Sequence, residues 1–183
     1  GLPADLVLGL PGATIDQACA PGTTVVLLGP DIKEELPVLY LRLRHAAVND
    51  GVRLVEVSPA STGLSPHAVH TELHAPGAAP EAVRSVIDAG HLGDGPVVVV
   101  LGRASLAEAA APAARAAQLL ADLGDRVRFL PALRRGNVRG ALDMGLAPGL
   151  LPGRTVLGTT PTGWPGAPTE TGMDTTALLA AAR

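Results

Sequence analysis

Cysteine is almost missing from this sequence: Cys19 is the only one in 183 residues. No disulfide framework can form within the chain. Iron–sulfur clusters held by these residues alone are excluded as well, because each needs about four thiolates, and cysteine-rich zinc modules fall with them. Aromatic residues are nearly as scarce, with Tyr40, Phe129 and Trp164 the only three. So few stacking rings, together with a net charge of -3, argue against nucleic acid as a partner. No apolar run approaches the roughly 18 residues that cross a bilayer, and the start GLPAD lacks the basic residues of a signal peptide, so no direct membrane insertion and a cytosolic compartment are expected. Lys33 is the one lysine beside 13 arginines, which reads as coding bias toward Ala, Arg, Gly and Pro.

What is present suits a globular protein: 47% of residues are hydrophobic and 17% charged. A chain of this length buries roughly two thirds of its unfolded surface, enough for a real core in one domain or two small ones. Four short, branched, apolar runs at 24–29 (TVVLLG), 52–58 (VRLVEVS), 97–102 (VVVVLG) and 127–130 (VRFL) read as strands buried on both faces. Leu36, Leu39, Tyr40, Leu43 and Ala47 recur at helical spacing between the first two, with Pro37 suited to a first turn and Gly51 to a stop. After the third strand, Ser105 and Glu108 form a capping pattern ahead of an Ala-rich helix to Leu123, which Pro112 must kink or restart. Strand, helix, strand in repetition predicts an α/β fold: an open, mostly parallel sheet with helices on both faces, here over residues 1–147. Residues 148–172 alternate Pro and Gly and are expected to form a connecting loop. Residues 173–183 have the spacing of a helix whose apolar side needs a sheet, so a continuation beyond Arg183 is expected.

Several residues invite a chemical reading. Gly29 and Asp31 end the first strand where open α/β sheets place ligands, yet a single Gly followed by Pro is no dinucleotide fingerprint. Nucleotide binding and a tight strand-to-helix turn both stay open there. Ser58 and Thr62 follow the second strand, where their hydroxyls can hold a phosphate or ribose or simply cap the next turn. His67, His70 and His74, spaced by three and four, would align three imidazoles on a helix, whereas in an extended segment only His70 and His74 share a face. Pro66 and Pro76 bracket too short a stretch for a stable helix, so no metal site is expected. Arg126, Arg128, Arg134, Arg135 and Arg139 concentrate positive charge without a glycine-rich cradle, which points to a protein contact before a phosphate. Cys19 has no nearby histidine and no Gly-x-Ser-x-Gly occurs, so no catalytic residue is expected.

The segment RRGNVRGALDMG (134–145) resembles the Asn-x-x-Gly-Ala-x-Asp-Met-Gly stretch of the molybdopterin oxidoreductase superfamily, with Asn137, Gly140, Ala141, Asp143, Met144 and Gly145 in step. The strand, turn and helix from Val25 to Pro59 resemble the same superfamily, except that Ser58, Pro59 and Ala60 stand where it has Asp-Pro-Arg. Within it, GLAPGLLPG (145–153), Trp164 and GMDT (172–175) look most like the large iron–sulfur subunit of bacterial NADH:quinone oxidoreductase, respiratory complex I, of an actinobacterial type.

That resemblance implies a Rossmann-like domain, as a fragment of a larger chain, with the molybdopterin-enzyme fold but no cofactor. Iron–sulfur clusters would lie in an N-terminal part of the parent subunit. Partners would be the flavin-bearing, NADH-binding subunit and other iron–sulfur subunits, on the cytoplasmic side of the membrane in the peripheral arm. No cofactor-binding residue is expected, and Gly29, Asp31, Ser58, Thr62, Asn137 and Asp143 are vestigial candidates at most. Replacing the charged tripeptide by Ser58 and Ala60 removes charge-assisted bonds of about 1.5–3 kcal/mol each, which favours the cofactor-free reading. The alternatives are a fragment of a molybdopterin-dependent enzyme, such as a formate dehydrogenase or nitrate reductase, and a free-standing nucleotide-binding module.

Overall fold

The computed structural model describes residues 4–104, 109–132, 137–147, 149–153, 155–157, 168, 170–173 and 175–182. They belong to two compact units, Gly1–Arg134 and Arg135–Arg183. In chain order the first unit holds α1 (Ala4–Gly9), α2 (Ile15–Ala18), β1 (Thr24–Leu28), α3 (Ile32–Glu35), α4 (Pro37–Asn49) and β2 (Arg53–Ser58). A 3-10 turn (Ser65–His67) leads to β3 (His70–Leu73), α5 (Ala79–Asp88), β4 (Val97–Leu101), α6 (Ala110–Ala121) and β5 (Val127–Pro131). The five strands form one parallel sheet in the order β3-β2-β1-β4-β5. This is the expected α/β class.

Every residue of β1 and β4 is buried, which is why both read as unbroken apolar runs: a central parallel strand is covered on each face, and branched side chains pack well there. Alternate residues serve opposite faces. Val26, Leu28, Val55, Val57, Val99, Leu101 and Phe129 pack with α5 and α6, while Val25, Leu27, Leu54, Val98 and Val100 pack with α4 residues Leu39, Leu43 and Ala46. Truncating a fully buried Phe129 to Ala would cost about 3–5 kcal/mol. The β5 edge is not left bare, because the Phe129 amide donates to Pro11 O and the Ala13 amide to Phe129 O, both at 2.7 Å.

Pro37 opens α4, and its end is set by Gly51 at φ 73, which lets the amides of Asp50 and Val52 both donate to Ala46 O. Pro112 lies in the first turn of α6, where a missing N–H costs nothing, so the helix starts there instead of kinking. The Ser105–Glu108 capping pattern lies outside the described residues. Among the elements not anticipated are β3, a polar edge strand, and α5, whose sequence APEAVRSVID buries Ala82, Val83 and Val86.

The second unit contains α7 (Val138–Asp143), an antiparallel pair β6 (Leu150–Leu151) and β7 (Thr155–Val156), and α8 (Thr175–Ala181). The Asp143 carbonyl accepts from the Gly153 amide at 2.8 Å, joining the hairpin turn to the end of α7. Gly145 follows at φ 76, and a Cβ there would sit 2.8 Å from the Leu151 carbonyl carbon. Among the described residues no helix is long and apolar enough to cross a membrane.

Candidate functional site

In a sheet of this order the chain winds outward from β1 to β3 on one side and from β4 to β5 on the other. The crevice outside the carboxyl ends of β1 and β4 is the place where such folds receive ligands. Here the two turns close on each other. The Gly102 amide donates to Leu28 O at 2.8 Å. A Cβ at Gly29 would lie 3.0 Å from the Gly102 nitrogen, and a Cβ at Gly102 would lie 2.6 Å from Cδ of Pro30. Glycine at 29 admits the backbone of Gly102, and glycine at 102 admits the Pro30 ring.

Beside this closed turn, Asp31, Ser58 and Thr62 are brought onto one edge. Asp31 caps α3, accepting from the Lys33 amide at 2.9 Å through Oδ1 and from the Gly63 amide at 3.1 Å through Oδ2. It thereby ties the turn after β1 to the loop after β2. Ser58 Oγ donates to Ala60 O at 2.7 Å, and Thr62 Oγ1 accepts from the Leu64 amide at 3.2 Å. Both hydroxyls bond within their own loop, whereas Asp31 bridges two.

The centre of the edge is a residue that sequence reading passed over. Glu56, on β2, is fully buried and faces the α4 side of the sheet. Its Oε2 accepts from Ser65 Oγ and, at 3.4 Å, from Thr71 Oγ1. Its Oε1 is buried with no partner among the described residues. Ser65 Oγ also accepts from the Thr62 amide at 2.7 Å, so Thr62, Ser65, Glu56 and Thr71 are one chain of hydrogen bonds. The only local signal was a charged residue inside an apolar strand, VRLVEVS.

At this edge the Lys33 side chain packs over Gly63, Arg103 follows Gly102, and Glu56 is the buried acidic residue beneath the loop. The other two candidates lie in the second unit. Asn137, at φ 60, precedes α7, its carbonyl accepting from the Ala141 amide at 2.9 Å, and its side chain crosses the bare face of Gly140. Asp143 is the last residue of α7.

The histidines do not share one face. His67 ends the 3-10 turn, His70 begins β3 and His74 follows it. His70 stacks on His91, ring centroids 3.7 Å apart, and its Nε2 donates to Glu72 Oε2 at 3.0 Å. His74 Nδ1 donates to Ala75 O at 2.8 Å. Among the described residues no three His, Cys, Asp or Glu side chains converge as for a metal ion.

Of the arginines, Arg126 donates to Gly93 O and Gly95 O at 2.7 and 3.1 Å, and Arg128 to Gly12 O at 3.4 Å. Arg134, Arg135 and the side chain of Arg139 lie outside the described residues. Arg126 and Arg128 border a cleft of 520 Å³ at the amino ends of β4 and β5, with Gln17, Thr23, Asp94 and Asp125. That cleft is at the edge opposite to the candidate residues. Cys19 is half-buried, and burial pushes its thiol up, with Asp16 and Asp50 adding to the rise and Arg42 opposing it.

Sheet order and helix placement together define an open, doubly wound α/β domain. No protein-family model matches the chain. Two curated proteins are similar to it: the G subunits of the NADH-quinone oxidoreductases of Mycobacterium bovis and Mycobacterium tuberculosis, each 34% identical over 136 residues, 70% of this chain. The chain spans 16% of the length of those relatives.

Proposed function

We propose that the chain is part of the large iron–sulfur subunit of a bacterial NADH:quinone oxidoreductase, respiratory complex I, and serves there as a structural domain without a redox cofactor of its own. The observation that carries this reading is the similarity to the two mycobacterial oxidoreductase subunits, 34% over 136 residues. The mycobacterial source of both relatives supports the actinobacterial type. The closed turn at Gly29 and Gly102 supports the absence of a nucleotide or pterin ligand, and a lone Cys19 cannot supply the thiolates of a cluster. Electron transfer then belongs to clusters in other parts of the parent subunit. This domain has the molybdopterin-enzyme fold with its ligand positions turned to structural use, Asp31, Ser58 and Thr62 among them.

On this reading the neighbours are the flavin-bearing, NADH-binding subunit and other iron–sulfur subunits, in the peripheral arm on the cytoplasmic side of the membrane. The chain is then part of an oxidoreductase while contributing no group to its chemistry. The purified chain should have no visible or paramagnetic signal as isolated or after dithionite. An iron–sulfur spectrum, or molybdenum or tungsten by elemental analysis, would overturn the cofactor-free claim, and either of those two metals would favour a formate dehydrogenase or nitrate reductase type.

A further inference from the structure

A buried carboxylate ordinarily meets a cation or a full set of hydrogen-bond donors, and Glu56 has neither. It stands in β2 between Leu27 of β1 and Thr71 of β3. Among the described residues no Lys, Arg or His comes within ion-pair distance of it. Lys33 lays its stem over Gly63 and forms no ion pair there. Oε2 takes the hydroxyl protons of Ser65 and Thr71, and Oε1 is buried with nothing to accept from.

The hydrogen-bonding capacity left at this spot is all of one kind. A hydroxyl has one proton and two lone pairs. Ser65 gives its proton to Glu56 and one lone pair to the Thr62 amide, and Thr71 gives its proton to Glu56. Lone pairs on Ser65 Oγ, Thr71 Oγ1 and Glu56 Oε1 remain, and no proton remains to meet them. Ser65 and Thr71 are half-buried while Glu56 is fully covered, so the two hydroxyls stand between the carboxylate and solvent.

Oxygen acceptors around one negative charge suit a hard cation, and the charge count sets its valence. Asp31 gives both of its oxygens to the amides of Lys33 and Gly63. Glu72 alternates to the other face of β3 and meets His70. A divalent ion draws its affinity from several carboxylates, whereas a single one balances a monovalent ion. An organic cation needs an open pocket, and Oε1 has no exposed surface. A water molecule would bring protons to Oε1 and leave the buried charge uncompensated.

We propose that Glu56 Oε1, with the hydroxyl oxygens of Ser65 and Thr71, holds a sodium or potassium ion that fastens the loop between β2 and β3 to the sheet. The proposal goes beyond the functional reading above and does not rest on it.

The test uses the full natural polypeptide in sodium, potassium or choline chloride at equal ionic strength, about 0.15 M. Hydrogen exchange of the peptides spanning Ser58 to Thr71 is read by mass spectrometry. It should be at least about threefold slower with the alkali ion that binds than with choline, and the ion giving the greater slowing is the occupant. Equal exchange in all three buffers, as a water in place of the ion would give, overturns the proposal. Glu56→Gln keeps the size of the side chain and removes its charge. It should abolish the difference between buffers, and a variant that still responds to the ion overturns the assignment. Thr71→Val keeps the carboxylate and removes one oxygen, so it serves even where Glu56→Gln does not fold. The alkali concentration giving half of the protection should rise at least about threefold in Thr71→Val, and an unchanged one overturns the site.

Discussion

Ser65→Ala is the most informative single perturbation of the carboxyl edge. It removes one of the two hydroxyl donors to Oε2 of a fully buried Glu56, leaving only Thr71 at 3.4 Å, a long contact. It also leaves the Thr62 amide without its acceptor. A hydrogen bond to a charged group contributes about 1.5–3 kcal/mol, and an unsatisfied backbone amide costs about 1–3 kcal/mol, toward the lower end where water can reach. The loop is only partly buried, so the expected loss is about 2–4 kcal/mol, a large share of the roughly 5–15 kcal/mol typical of a domain. Urea unfolding followed by far-UV circular dichroism should show the midpoint fall with an unchanged slope, since the surface exposed on unfolding is the same. Thr71→Val should cost less, about 1 kcal/mol, because its bond is longer. A Ser65→Ala loss below about 0.5 kcal/mol would mean that Glu56 is held some other way and that this network does not organise the edge.

Gly102→Ala should lower stability by about 1–3 kcal/mol, because the new Cβ meets Pro30 Cδ at 2.6 Å inside a packed turn; calorimetric melting checks it. Gly145→Ala combines a left-handed φ of 76 with backbone at 2.8 Å and should destabilise by more than about 1 kcal/mol, read from the unfolding of the second unit. The raised Cys19 thiol should make alkylation by iodoacetamide slower than for a free thiol and move its pH midpoint upward. By linkage, the neutral thiol favoured in the fold stabilises fully below the ordinary value near 9.0, and that contribution is lost as pH rises past it. Guanine or adenine nucleotides at millimolar concentration should leave the melting temperature unchanged, and a rise of several degrees would restore the nucleotide-binding alternative.

The parts of this fold legible in sequence were those in which local pattern and burial agree. β1 and β4 are buried on both faces at every position, so their apolar runs announced them, and Pro37 and Gly51 marked the two ends of α4. β3 was hidden because an edge strand needs little apolar surface: His70 in HTEL, with His67 and His74 on either side, has a spacing that suggests metal ligands, while His70 meets Glu72 on its own strand and stacks on His91, 21 residues away in sequence. Asp31, Ser58 and Thr62 were legible as turn chemistry at strand ends. What they bind was not, because Asp31 meets Gly63 and Glu56 meets Ser65 only after β1, β2 and the loop between Ser58 and Ser65 are assembled. The contact between the turns after β1 and β4 was equally invisible, since it depends on two glycines 73 positions apart arriving together.

Whether this chain is a cofactor-free part of an NADH:quinone oxidoreductase is decided by the composition of the assembly purified through a tag on it in its own cell. NADH:quinone oxidoreductase activity and iron should co-purify with the chain, with molybdenum and tungsten far below one atom per chain. Molybdenum or tungsten at one atom per chain, or an assembly with no NADH-oxidising subunit, would contradict that reading.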